Sequence, residues 1–349
     1  MKQIKFLIVV MVFLCLTGCN GCNKNKSREK PDVSGINLEL KVLRFDQDLL
    51  GVKTQDYAQW RQMMQDKYHE FYRFYISNFV IGPRPAGDTT DIEQIALHKF
   101  LDDKYIATIQ DSINSRFTNT KQTEAELTQA LKYFTHYFPE FKAPEIITIN
   151  SAYGAGISPF GSERLIIGLD MFLGADNKDY DSAGVYDYLQ HKMRPEYIVR
   201  YATEALYEEN YGDINTPADQ PLIEAMIDRG KKLYFLSYIL PDAPDSMLLG
   251  YTQKQTQWCT ENEYGLWQFF NNKDLLYKNN SMDKTRYLGE GPATSGLPPE
   301  APGSVGSFVG LQIVRKFMNE TGSKITLRDL VQKYDAKTIL EKAKYRPAK

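Results

Sequence analysis

The 349-residue chain has few histidines and cysteines, the side chains that most often bind zinc. Its four histidines are His69, His98, His136 and His191, and no two of them lie four positions apart. A zinc-peptidase helix needs two imidazoles one turn apart, with a glutamate to activate water. In the nearest match, HEFYR at 69–73, Arg73 stands where the second histidine would be. We therefore predict no metal site, and no cofactor of another kind is indicated.

Long apolar runs and an excess of basic residues are also missing. The apolar run FLIVVMVFLCL at 6–16 is shorter than the roughly 20 residues that cross a bilayer. The formal net charge of −2 argues against nucleic acid as a partner, because a phosphate-binding surface requires a basic excess.

The N-terminus has the pattern of a lipoprotein export signal. Lys2 and Lys5 precede the apolar run, and LTGC at 16–19 closes it. This pattern predicts a signal peptide over 1–18 and lipidation of Cys19, followed by a polar tether over 19–35 and one globular domain over 36–349. We expect a lipid anchor in the cell envelope, facing the periplasm because no acidic export signal follows Cys19.

The other cysteines do not indicate a disulfide framework. Cys15 leaves with the signal peptide and Cys22 lies in the tether. Cys259 follows Trp258 in an apolar setting, which favours a buried free thiol.

Hydrophobic periodicity predicts an α+β fold, predominantly helical, with a small sheet near the middle. Strands are predicted at the start of 36–50, over 145–154 and over 164–174, the last two joined by a glycine-rich connection. Helices are predicted over 54–80, 91–116, 121–138, 195–210, 218–240, 253–279, 303–320 and 326–342.

No catalytic residue can be assigned from spacing. Asp170 and Glu204 are the carboxylates of most interest, because they belong to the strand and helix around the predicted sheet. Gly303, Gly306 and Gly310 are predicted to share one helical face and to allow close helix packing. The segment GSVGSFVG at 303–310 lacks the lysine and hydroxyl of a phosphate-binding loop.

Several segments resemble the GldB family of gliding-motility lipoproteins from Bacteroidetes. The segments are LKVLRFDQDL near the N-terminus, 221–270, APGSVGSFVGLQIVRKFMNE at 301–320 and LRDLVQKYDAKTILEKAKYRP at 327–347. The resemblance implies an envelope lipoprotein connected with gliding and with type IX secretion, and it implies no catalytic residues.

The family in turn resembles, more distantly, zincin-like peptidases, in which an HExxH helix precedes a helix ending in Glu-Gly. The matching stretches are EYIVRYATEAL at 196–206 and EAMIDRGKKLY at 224–234. The first has no histidine, and Arg229 precedes Gly230, where a cation would be repelled. The resemblance implies a degenerate zincin-like architecture without its metal, with the cleft free to bind a partner segment.

Three functional hypotheses follow. We favour a non-enzymatic envelope lipoprotein that binds other envelope proteins of a motility or secretion assembly. The alternatives are an atypical hydrolase with its site around Glu204 and the 145–173 strands, and a glycan binder that uses exposed tyrosine and tryptophan.

Overall fold

Helices dominate the computed structural model, which describes residues 30–82, 90–212 and 219–349. The structure is 62% helical with a small sheet, so the predicted α+β class is confirmed. The α-helices are α1 (Phe45–Asp48), α2 (Tyr57–Tyr68), α3 (Glu70–Tyr75), α4 (Thr90–Asp102), α5 (Lys104–Arg116), α6 (Lys121–Tyr137), α7 (Asp179–Ser182), α8 (Asp187–Gln190), α9 (Ile198–Tyr211), α10 (Leu222–Ile239), α11 (Asp245–Leu249), α12 (Gln253–Glu261), α13 (Glu263–Asn272), α14 (Ser281–Leu288), α15 (Val305–Thr321), α16 (Leu327–Lys333) and α17 (Ala336–Ala343).

Four short strands form one mixed sheet in the order β1-β2-β4-β3. The strands are β1 (Val42–Arg44), β2 (Glu145–Ile149), β3 (Ile157–Phe160) and β4 (Arg164–Gly168). β1, β2 and β4 run parallel, and β3 pairs antiparallel with β4 at the edge. The glycine-rich connection predicted between the strands at 145–154 and 164–174 therefore contains β3, a strand that its glycine and proline content did not indicate.

Both faces of the sheet are covered, which explains why its central strands read as continuous apolar runs. Side chains alternate between the faces. Ile146, Leu165 and Ile167 pack into a large core with the C-terminal helices. Ile147 and Ile166 point the other way, into a smaller core filled by aromatic residues of α1 to α3.

Several predicted long helices are broken. The helix predicted over 54–80 stops at His69, whose φ of 51° is incompatible with an α-helix, and resumes at Glu70. The helix predicted over 91–116 is interrupted at Asp103, whose carboxylate accepts hydrogen bonds from the Tyr105 and Ile106 amides and caps α5. Tyr68 and Phe71, which flank the break at His69, are both buried in the smaller core.

Glycines bring α10 and α15 into backbone contact. A Cβ atom on Gly310 would lie 1.7 Å from the Met226 carbonyl oxygen, and one on Gly230 would lie 2.3 Å from the Gly310 carbonyl. The predicted close packing is thus confirmed for Gly310. The prediction that Gly303 lies on the same helical face was wrong, because α15 begins only at Val305.

Residues Val33–Lys349 form one compact unit. The predicted signal peptide, Cys19, Cys22 and most of the predicted tether lie outside the described residues. Within 30–82, 90–212 and 219–349, no helix combines the length and apolar character needed to cross a membrane.

Candidate functional site in the cleft beside strand β3

A cleft of about 340 Å³ lies between the start of β3 and helix α9. Its wall is formed by Gly156 and Ile157 on one side and by Tyr201, Glu204 and Glu208 on the other. The segment that follows β4 contributes Met171 and Phe172, and the end of α8 with the segment after it contributes Leu189, Lys192 and Met193. The cleft therefore brings Glu204 next to the strands, as the sequence-based hydrolase hypothesis required.

The backbone of β3 presents its outer edge at this cleft. The Gly168 amide donates a hydrogen bond to the Gly156 carbonyl (2.7 Å), and antiparallel pairing alternates from there. By this alternation, the amide and carbonyl of Ile157 and the carbonyl of Pro159 point away from β4. Proline is tolerated at such a position because its missing amide hydrogen would face outward.

Glu204 and Glu208 of the cleft wall belong to a cluster of charged side chains from α9 and α10. Glu204 makes ion pairs with Arg200, one turn earlier on α9, and with Lys232 of α10. Lys232 also pairs with Glu208 (2.6 Å), and its side chain is 2% exposed. The ammonium of Lys232 thus joins two carboxylates of α9 inside the protein.

This cluster fixes the protonation state of Glu204. Burial by itself raises the pKa of a carboxyl, but the charges of Arg200 and Lys232 outweigh burial and lower the pKa of Glu204 to about 2. Glu204 is therefore ionised at neutral pH, and a carboxylate with so low a pKa is a weak general base.

A second, smaller cavity of about 150 Å³ adjoins the cleft and shares Tyr201, Glu204 and Glu290 with it. Arg229 and the start of α15 contribute to its lining. At the rim, the Lys192 ammonium donates to the Glu290 carboxylate (2.6 Å). The two helices that carry the zincin-like stretches therefore meet around one cavity, with Arg200 and Glu204 from one helix and Arg229 and Lys232 from the other.

Asp170, the other carboxylate singled out from the sequence, lines neither cavity. It accepts hydrogen bonds from the Ser151 amide (2.9 Å), the Ser151 hydroxyl (2.7 Å) and the Tyr153 amide (2.5 Å). These bonds hold a turn in which Ala152 and Tyr153 both have positive φ. Asp170 thus shapes the approach to β3.

The histidines are dispersed, as the sequence indicated. His69 is exposed at the break between α2 and α3, and His191 contacts the Gly250 carbonyl (3.1 Å). In the part of the chain that the structure describes, no three His, Cys, Asp or Glu side chains are grouped as metal ligands. Cys259 is a buried free thiol, as predicted, and burial raises its pKa to about 12.

A larger groove of about 970 Å³ lies near the β3–β4 turn and is lined by charged residues. Its charges largely compensate one another at the surface. Lys41 and Arg164 both pair with Glu145, and Lys67 pairs with Asp48. We regard the cleft beside β3 as the better candidate, because Lys192 in its lining is buried, its Glu204 pairs with the buried cations Arg200 and Lys232, and its wall includes a strand edge.

Sequence reasoning missed Arg200, Lys232 and Lys192. The available signal was the position of Arg200 and Lys232 on helices with a predicted buried apolar face, where a buried cation requires an anionic partner. The partner of Lys232 lies on another helix, so spacing along the chain does not identify it.

Comparison with known proteins agrees with the lipoprotein motifs. The family model for gliding motility protein GldB matches residues 26–347. No curated protein and no solved structure gave a significant match, so the zincin-like resemblance stays a prediction. Members of this lipoprotein family are membrane-anchored envelope proteins associated with gliding. A match across nearly the whole length shows that this chain belongs to the gliding motility protein GldB family.

Proposed function

We propose that this lipoprotein is non-catalytic and holds an extended segment of an envelope partner in the cleft beside β3. The observation that carries the proposal is the state of Glu204, an acidic residue in the cleft wall. Its carboxylate is occupied by Arg200 and Lys232, and its pKa is about 2. A site of this kind favours recognition over proton transfer.

The edge of β3 supports the choice of an extended segment. An extended chain that adds to a sheet edge gains main-chain hydrogen bonds, and adjacent pockets then select its side chains. Ile157 offers both an outward amide and an outward carbonyl, while Met171, Phe172 and Met193 give the cleft an apolar lining. The partner would belong to the motility or type IX secretion assembly that the family resemblance implies.

Photo-crosslinking in cells tests the proposal. We expect a benzophenone amino acid at Leu189, in the cleft wall, to capture one or two envelope proteins through an extended segment identifiable by mass spectrometry. The control position is Tyr277, which is 69% exposed and lies outside the cleft. Equal capture from both positions, or capture of peptidoglycan fragments alone from Leu189, would contradict the proposal, and the second result would favour the glycan-binding alternative.

Membrane attachment is proposed to depend on Cys19. We expect Cys19→Ala to shift the protein from the membrane fraction to the soluble fraction, because stable anchoring requires acyl chains that the variant cannot carry. Cys22→Ala, three residues further on, is the matched control and should remain in the membrane fraction. Membrane retention of Cys19→Ala with an unchanged intact mass would refute lipidation at this residue. Protease accessibility in intact cells would report whether the domain faces the periplasm, as we propose.

A further inference from the structure

The small cavity behind the cleft is lined by a cation, Arg229, that is not engaged in an ion pair with a described residue. Arg229 lines this cavity in a half-buried position and makes no hydrogen bond or ion pair with any residue that the structure describes. The other three cations of the site pair with three carboxylates: Lys192 with Glu290, and Arg200 and Lys232 with Glu204 and Glu208. With four cations and three carboxylates, the site has a net charge of about +1, which equals the charge of Arg229.

A neighbouring side chain in the cavity is also incompletely bonded. Arg200 is 7% exposed, and its guanidinium bonds to Glu204 and to the Leu248 carbonyl (3.1 Å). Its Nε atom is buried with no hydrogen-bond partner in the described structure. A buried donor without an acceptor is unfavourable, so the lining of this cavity is not fully satisfied by the protein itself.

The start of α15 adds to the positive potential. Ser304 precedes this 17-residue helix, and its side chain does not cap the helix; the Ser304 hydroxyl donates to the Leu288 carbonyl (3.0 Å). An uncapped helix N-terminus carries about half a positive charge and attracts anions. Ser304 and Ser307 place this terminus in the wall of the cavity that Arg229 lines.

We propose that this cavity binds a carboxylate group of the segment held in the cleft, with Arg229 as its main contact. This inference rests on the proposed partner-binding function. A carboxylate fits the surplus of one charge, whereas Glu204 and Glu290 in the same lining would repel a phosphate dianion. The volume of about 150 Å³ suits a small group, and the lining shared with the cleft provides its path of entry.

Acetate is a suitable probe, and Arg229→Met is a suitable variant. Since Arg229 has no partner in the described structure, its replacement should leave the fold intact. We expect acetate, followed through the signal of its ¹³C-labelled carboxylate in the presence of the full-length protein in detergent, to bind saturably in the millimolar range. Arg229→Met should weaken this binding roughly ten-fold or more, because a charge-assisted contact is lost. Arg328→Met is the matched control, because the Arg328 side chain is 48% exposed and lies outside the cavity lining, and this variant should bind acetate like the wild type.

The outcomes separate this inference from the proposed function. Acetate binding that Arg229→Met abolishes, together with weaker capture from Leu189 in cells, supports the inference. No saturable acetate binding, equal binding by Arg229→Met, or tighter binding of inorganic phosphate would overturn it, while partner capture from Leu189 would leave the proposed function standing. Unchanged partner capture by an Arg229→Met protein that has lost acetate binding would also overturn it.

Discussion

Replacing Gly310 with alanine is expected to lower the free energy of unfolding by about 3 kcal/mol or more, since overpacking against a rigid backbone is costly. The added methyl group would lie 1.7 Å from the Met226 carbonyl oxygen and 2.4 Å from the Met226 carbonyl carbon. Backbone atoms cannot rotate aside as a flexible side chain can, so α10 and α15 would have to separate. Separation would loosen the packing around Val309 and Leu311, which are fully buried. Urea unfolding at neutral pH, followed by circular dichroism, measures the change.

Gly265 provides the matched control for this substitution. It lies within α13, and a Cβ built on it meets no atom within 4 Å. Gly265→Ala should therefore stabilise the protein by about 0.5–1 kcal/mol through helix propensity alone. If Gly310→Ala lost less than about 1 kcal/mol, the α10–α15 crossing would tolerate a side chain, and the close approach would not be needed for stability.

The second large effect is expected at the buried ion cluster. Glu204→Gln should lower the free energy of unfolding by about 3–5 kcal/mol, the range observed when one partner of a buried pair is removed. The reason is that the Arg200 guanidinium would lose its carboxylate partner, and Lys232 would retain Glu208 alone. Glu320→Gln is the control, because the exposed pair between Glu320 and Lys316 should contribute little.

Acid should remove the same stabilisation from the wild type. The pKa of Glu204 is about 2 in the folded protein against an ordinary value of 4.5, so the ionised form stabilises the fold. This contribution is complete above about pH 4.5 and is lost as the pH falls toward about 2. We expect the unfolding free energy of wild type to decrease over this window, and the difference between wild type and Glu204→Gln to shrink in parallel. A difference that stayed constant through the window would exclude Glu204 as the titrating group.

The Glu204→Gln variant also bears on the hydrolase alternative. A structural role and a catalytic role for Glu204 predict different results when the stability and the function of the variant are measured together. We expect function to fall in proportion to the loss of folded protein. Complete loss of function with unchanged expression and melting temperature would instead favour a catalytic role for Glu204, against our proposal.

Local patterns determined much of the fold. Helical spacing of apolar residues located α6, α9, α10 and α15 to within a few residues, because each helix buries one face. The breaks at His69 and Asp103 were missed, since a positive φ and a side-chain cap inside a continuous apolar pattern depend on the packing around them. β3 was missed because Gly156 and Pro159 disfavour a strand locally, whereas pairing with β4 compensates for them.

The sequence by itself identified the family, predicted the lipid anchor and, through its few histidines, argued against a zinc-peptidase site. The tertiary structure decided how the charged side chains of α9 and α10 are paired. It brings Lys232 of α10 to Glu204 of α9 and places Arg229 in the lining of a cavity, with no ion pair to any residue that the structure describes. Pairing between helices depends on which faces they turn to each other once the core is packed. No spacing within either helix encodes that orientation, so the charge balance of the cleft emerges only from the folded chain.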